Sequence, residues 1–145
     1  MVVDRSAIRR RFARLERSIA KLRQITEDVS YDDYVGDTFL QDVVEHNLQI
    51  ASQIVLDVST HIIAEQGWEA PDSYEQATVI LGRHGVIPPT LVERLHGMAG
   101  FRNILVHGYL EVDQGIVFTA ATDHLEDYEL FVAAVIAWLE RVESP

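Results

Sequence analysis

Four side chains that can bind phosphate or move protons lie within the eight residues from Arg102 to Tyr109. The guanidinium of Arg102 is a permanent, fork-shaped charge that matches a phosphate group. Histidine is the residue that most often donates and accepts protons near neutral pH, so the imidazole of His107 can act as a general acid or base. These two groups suffice for cleavage of an RNA backbone without a metal, and Asn103 and Tyr109 stand beside them. Because Ile104, Leu105 and Val106 are apolar, we expect the segment to pack against a core and to hold the polar groups at a buried seam.

Helix geometry constrains how these residues can cooperate. Successive residues of an α-helix turn by about 100°, so Arg102 and His107 point roughly 140° apart. Asn103 and His107, four residues apart, share a face. Either the helix bends or ends near Gly108, or a two-fold dimer brings two copies of the motif to one cleft.

The spacing Arg-x4-His-x-Tyr and three further segments resemble a known family. The segments are Glu45–Ala51, His61–Glu65 and Leu95–Phe101, in that order along the chain. Together they make the chain similar, over nearly its whole length, to the HepT-type toxins of the HEPN group of helical ribonucleases. One departure is His46, which stands where the family has an arginine.

The resemblance implies an all-α, up-and-down bundle of about five helices, dimeric, with a composite site. It implies the toxin of a type VII-like toxin–antitoxin system, a metal-independent endoribonuclease acting on tRNA or mRNA. Arg102 would hold the phosphate, His107 would move the proton, and Asn103 would orient His107 or donate to the phosphate. Tyr109 would be adenylylated by a partner minimal nucleotidyltransferase, an MntA-like antitoxin. We expect a homodimer and, with the antitoxin, a larger hetero-oligomer. The alternative is a non-catalytic helical module that binds a nucleotide or a partner in the same cleft.

Charge is distributed unevenly along the chain. The net charge is −11 over 145 residues, which argues against a general nucleic-acid binder. Residues 1–26 nevertheless hold eight of the twelve basic residues and only two acidic ones, a net of +6. The asymmetry predicts one basic face on an acidic body, or simply a solvated helix face.

Hydrophobic periodicity predicts the helices that carry the motif. We expect a helix over residues 4–26, an acidic connection over 28–37 with a turn of helix around Tyr31 and Tyr34, and a long helix from a capping box at Thr38 to a cap at Gly67. A shorter helix should follow Ser73. The next should start at Pro88-Pro89, bend near Gly97 and Gly100, and carry the motif. Residues 111–121 should form a loop, with a short extended piece at 116–118, before a final helix that opens at Asp123.

The sequence gives less support to a metal site, to a second domain or to a membrane location. The chain has no cysteine, and Glu93-x-x-His96 is only half of a carboxylate-bridged di-metal pattern. We therefore expect no metal site and no cofactor. The length fits a single domain spanning 1–145. No apolar run reaches membrane-spanning length, so we expect a cytoplasmic protein without membrane contact.

Overall fold

A computed structural model describes residues 4–143, which fold into helices joined by turns, with no β-strand among them. Eight α-helices follow one another, and a 3-10 turn at Tyr109–Glu111 lies between the sixth and seventh. The all-α class is confirmed, and the described part of the chain is divided into more helices than the approximately five we predicted. Their bounds are α1 Arg5–Thr26, α2 Tyr31–Val35, α3 Thr38–Gln66, α4 Tyr74–Arg83, α5 Pro89–Arg94, α6 Met98–His107, α7 Gln114–Asp123 and α8 Leu125–Glu143.

Helix α3 is the element around which the others pack. With 29 residues it is about 44 Å long. It contacts α1, α2, α4, α6, α7 and α8. Leu48, Val55 and Ile62 are buried along one line of the helix, and Leu56 and Ile63 are buried about 100° around it. None of the helices within residues 4–143 combines the length and apolar composition needed to cross a bilayer.

The ends of α3 show which capping predictions were right. Gly67 caps the C-terminus in a left-handed conformation (φ 68°), as its position indicated. The N-cap is Asp37 and not Thr38, because the Asp37 carboxylate accepts a hydrogen bond from the Leu40 amide at 3.0 Å. Gln41 does not complete a capping box; its side-chain amide donates to the carbonyls of Tyr34 and Val35 and ties α2 to α3.

The prediction of a loop over residues 111–121 was wrong, because residues 114–123 form α7. Asp113 caps this helix by accepting from the amides of Gly115 and Ile116. Val117 is buried, and the Phe118 ring packs against those of Tyr31 and Tyr34. A run of β-branched residues weakly disfavours a helix, and here the tertiary packing overrides that preference.

The helix predicted from Pro88-Pro89 through the motif is two helices, α5 and α6. Gly97 has φ 85°, a conformation that side-chain-bearing residues rarely adopt. The helix is therefore interrupted at Gly97, where we expected a bend. Helix α6 begins after it as a separate helix that packs against α3.

Two helical glycines differ in the space around them, and this yields a stability prediction. A Cβ at Gly82 would lie 2.4 Å from Val92 Cγ2, whereas a Cβ at Gly100 would meet no atom within 4 Å. We expect Gly82→Ala to lower the free energy of unfolding by about 1–3 kcal/mol through overpacking of α4 against α5. Gly100→Ala should raise it by about 0.5–1 kcal/mol through helix propensity. Urea unfolding followed by circular dichroism measures both, and equal stabilisation by the two variants would contradict the packing argument.

Candidate functional site at the end of helix α6

Arg102 lies in the seam between α6 and α3. Its Nε donates to Gln53 Oε1 on α3 at 2.6 Å, and its Nη1 donates to Asn103 Oδ1 at 2.8 Å. Its guanidinium carbon lies 5.7 Å from the centroid of the Tyr74 ring on α4, within cation–π range. Three elements thus fix the position of this charge.

Asp57 fixes the orientation of the Gln53 amide. Gln53 Nε2 donates to Asp57 Oδ1, one turn further along α3, at 2.7 Å. A carboxylate only accepts hydrogen bonds and a guanidinium only donates them, so the amide has one arrangement that satisfies both neighbours. Its oxygen must face Arg102 and its NH2 must face Asp57.

The guanidinium keeps donors available for a ligand. Of its five N–H groups, the hydrogen bonds to Gln53 and Asn103 use one on Nε and one on Nη1. One hydrogen on Nη1 and both on Nη2 form no hydrogen bond within residues 4–142. Arg102 is therefore held through Nε and Nη1 and keeps three N–H groups, two of them on Nη2, that can bind phosphate oxygens.

The prediction that the four polar residues lie at a buried seam was wrong for three of them, and Arg102 is half-buried. Leu105 is buried against the core, but Asn103, His107 and Tyr109 are exposed. Asn103 and His107 share the outer face of α6, as their spacing predicted. The side chain of Asn103 contacts Arg102 instead of His107, so within the described residues it does not orient the imidazole.

Helix α6 is regular from Met98 to His107 and ends at Gly108. Arg102 and His107 both lie inside it, so its end does not bring them together, and they diverge by roughly 140°. Arg102 leaves α6 toward α3, and His107 leaves it on the solvent side. The spacing left two ways for both side chains to reach one phosphate: a helix that bends or ends between them, or a two-fold dimer. The first is excluded, because α6 continues through both residues.

Tyr109 begins the 3-10 turn that follows Gly108. Because α6 has already ended, Tyr109 does not align with Arg102, as it would on a continuous helix. Its side chain is 69% exposed. Its hydroxyl lies on an open surface two residues from His107 and is accessible to another protein.

Large apolar side chains are exposed on α3 and on the segment that carries the motif. Ile104 is 48% exposed, Leu110 86% and Phe39 85%. Phe39 lies fourteen residues before Gln53 on α3, which is two heptads, so it shares the helix face that holds Arg102. His46 lies midway on the same face and is also exposed. Exposed apolar side chains thus lie on α3 and on the segment that carries the motif.

A hydrogen-bonded network ties the start of α7 to the motif's side of α3. The Tyr34 hydroxyl donates to Gln114 Oε1 at 2.6 Å, and Gln114 Nε2 donates to Glu45 Oε2 at 3.2 Å. Burial, followed by the nearby Glu45 carboxylate, raises the pKa of Tyr34 well above its usual range. The hydroxyl therefore stays protonated and keeps its role as donor.

Sequence reasoning did not identify Gln53, Asp57 or Tyr74 as part of the site. A signal for two of them was present, because Gln53 and Asp57 are polar residues four apart in an otherwise apolar stretch of α3. Nothing local marks Tyr74, which reaches Arg102 only through the packing of α4.

Among residues 4–142 no cluster of three or more His, Asp or Glu side chains is arranged to hold a metal ion.

The all-helical fold with this motif at the end of α6 defines a HEPN-type helical protein. The family model described as ribonuclease HepT-like matches residues 15–135, and the chain belongs to this family. The resemblance seen in the sequence is confirmed.

Similar proteins carry informative names. An mRNA nuclease HepT from Shewanella oneidensis is 33% identical over 127 residues, covering 88% of this chain and 94% of that protein. A tRNA nuclease HepT from Aphanizomenon flos-aquae is 30% identical over 118 residues, covering 81% of this chain and 80% of that protein. A solved structure of the tri-AMPylated Shewanella oneidensis HEPN toxin in complex with the MNT antitoxin is 33% identical, with a TM-score of 0.82, covering 90% of this chain and 96% of that one.

The anchoring of Arg102 can be tested without an activity assay. Gln53→Leu removes the acceptor of Arg102 Nε–H and leaves Asp57 without its donor. We expect a loss of about 1 kcal/mol in the free energy of unfolding and faster solvent exchange of the Arg102 Nε–H in nuclear magnetic resonance spectra. Gln49→Leu is the control, because Gln49 lies one turn earlier and forms no hydrogen bond within residues 4–142. Equal effects of the two variants would show that Gln53 does not hold Arg102.

Proposed function

We propose that this protein is the toxin of a type VII-like toxin–antitoxin system. In this proposal it is an endoribonuclease that cleaves tRNA or mRNA without a metal, and a partner nucleotidyltransferase silences it by adenylylating Tyr109. The observation that carries the proposal is the geometry of Arg102, which is anchored through Nε and Nη1 and keeps three N–H groups for a phosphate. The names of the HepT relatives, which are mRNA and tRNA nucleases, support the choice of RNA as substrate.

The chemistry would be an in-line transfer within the RNA backbone. The ribose 2′-oxygen attacks the adjacent phosphorus, and the bond from phosphorus to the 5′-oxygen breaks. His107 takes the proton of the 2′-hydroxyl as general base, and a water molecule gives a proton to the 5′-oxygen that leaves. Arg102 binds the phosphate and offsets the charge that develops in the transition state. The product is a 2′,3′-cyclic phosphate or its hydrolysed form.

The roles of the neighbouring side chains follow from their contacts. Asn103 accepts from Arg102 Nη1, so we assign it to hold the guanidinium in the site. Gln53, held by Asp57, binds Nε of the same guanidinium as a positioning residue. Preorganised charge of this kind costs little rearrangement when the transition state forms.

A homodimer would complete the site. One copy of α6 directs Arg102 and His107 to different sides, so a single phosphate can be reached by both groups only if His107 of a second copy faces Arg102 of the first. The exposed Phe39, Ile104 and Leu110 supply apolar area around the motif that such an interface would bury. A two-fold axis beside α6 would generate two equivalent composite sites.

Adenylylation of Tyr109 would block this site. The tyrosine oxygen attacks the α-phosphorus of ATP in the partner's active site and pyrophosphate leaves. The AMP group then adds a bulky anion two residues from His107, where the RNA phosphate must bind, and it excludes RNA by steric overlap and charge repulsion. The 69% exposure of Tyr109 leaves it accessible to the partner. The tri-AMPylated state of the Shewanella oneidensis toxin, in complex with its MNT antitoxin, supports the assignment.

Replacement of the proposed general base should remove cleavage and leave the fold intact. We expect His107→Ala to lower the cleavage rate of total tRNA or mRNA by at least about 100-fold, with an unchanged melting temperature because the imidazole is exposed. Wild-type cleavage should persist in EDTA. His124→Ala, at another exposed histidine, is the control. A His107→Ala protein as active as wild type, or wild-type cleavage that chelation abolishes, would contradict the mechanism.

Mass spectrometry of the protein co-expressed with the nucleotidyltransferase tests the modification. We expect the mass of at least one AMP group on the peptide that contains Tyr109, and a matching loss of RNA cleavage. The Tyr109→Phe protein should stay unmodified and active in the presence of the partner. Tyr31, which is 44% exposed, provides an internal control tyrosine. AMP on Tyr31 and not on Tyr109, or no AMP at all, would end this part of the proposal.

A further inference from the structure

Four basic residues form a single stripe along the outer side of α1. Arg10, Arg14, Arg17 and Lys21 are spaced by four, three and four residues, so they follow one line on a helix. The line lies roughly opposite the buried face of α1, which contains Ile8, Leu15, Ile19 and Leu22 among others. Arg10, Arg17 and Lys21 are exposed and Arg14 is half-buried. We refer to these four residues as the basic stripe.

The basic stripe lacks counter-charges in a strongly acidic protein. Within residues 4–142 none of its four members forms an ion pair, although the chain has 23 acidic residues. On the side of α1 that faces α8, by contrast, Arg23 is paired with Glu129 through two hydrogen bonds. Burial, followed by the positive charge of the neighbouring Arg17, lowers the pKa of Arg14, as expected where like charges lie close together.

The form of the basic stripe suits one kind of ligand. Its charges repeat every three or four residues, about 5 Å along the helix axis, over about 16 Å in total. Three of the four are guanidinium groups, which bind phosphates in a bidentate manner. When such a row of charges neutralises the phosphates of a nucleic acid, the cations condensed on those phosphates are released, and this release drives binding.

We propose that the basic stripe is a second RNA-binding surface, which contacts the phosphate backbone of the substrate outside the cleavage site. The inference rests on the proposed ribonuclease function and names the surface that holds its substrate. These contacts are sequence-independent and form equally with bound substrate and transition state. They therefore lower the KM of cleavage and leave kcat unchanged.

The test measures RNA binding by the full chain carrying His107→Ala, so that the RNA stays intact. The probe is a fluorescent single-stranded RNA about 20 nucleotides long, which is longer than typical binding sites for single strands. The stripe variant is Arg10→Gln with Arg17→Gln. The matched control is Arg9→Gln with Arg83→Gln, which removes the same charge from outside the stripe. A third protein, Arg10→Lys with Arg17→Lys, keeps the charge.

We expect the slope of log K against log salt concentration to become shallower by about 1.4 in the stripe variant, since each lost phosphate contact on a single strand contributes about 0.7. The control and the lysine variant should keep the wild-type slope. In the active background the stripe variant should raise KM at unchanged kcat. An unchanged slope in the stripe variant would overturn the proposal, as would an equal change in the control.

The proposal and the proposed function can fail separately. A stripe-dependent slope in a protein that cleaves no RNA would retain the binding surface and reject the nuclease. RNA binding that does not depend on the stripe, combined with stripe-dependent loss of a complex with the nucleotidyltransferase, would assign these charges to a protein partner and overturn the inference.

Discussion

Arg102 and His107 leave the same helix on opposite sides, and this fixed divergence constrains every other part of the site. The regular geometry of α6 from Met98 to His107 separates them by roughly 140°. On the inner side, Gln53 and Asp57 of α3 and the Tyr74 ring of α4 hold the guanidinium. On the outer side the imidazole meets solvent. One chain therefore presents two half-sites that face in different directions.

The proposed homodimer gives a role to apolar side chains that are exposed in the single chain. Phe39, Ile104 and Leu110 contribute nothing to the core of the single chain. In the proposed homodimer a second copy would cover them, and the same copy would place its imidazole beside the anchored arginine. Assembly and catalysis would then depend on one interface, and the proposed adenylylation of Tyr109 would act beside it.

Much of the fold could be predicted from the sequence, because the long helices have a regular pattern of apolar residues. Helix α1, the extent of α3 to its Gly67 cap and the short helix at Tyr31–Val35 all lie where the pattern of apolar residues indicated. Helix α7 was not predicted, because it begins with β-branched residues that disfavour a helix. The Asp113 cap and the contacts of Phe118 with α2 stabilise it. Local propensity cannot report such distant packing. The site shows the same division, since the motif residues could be found from their chemistry and spacing, whereas Gln53 is 49 residues from Arg102 in the chain. Only the packing of α6 on α3 brings those two residues together.

The most direct test of a composite site is complementation between two inactive proteins. Arg102→Ala and His107→Ala chains are mixed in equal amounts under conditions that exchange subunits, and RNA cleavage is measured. If the two groups come from different copies, about half of the dimers are mixed. Each mixed dimer holds one intact site of two, so activity should return to about a quarter of the wild-type value. If activity does not return although mixed dimers are shown to form, the two groups do not meet across an interface and a composite site is ruled out.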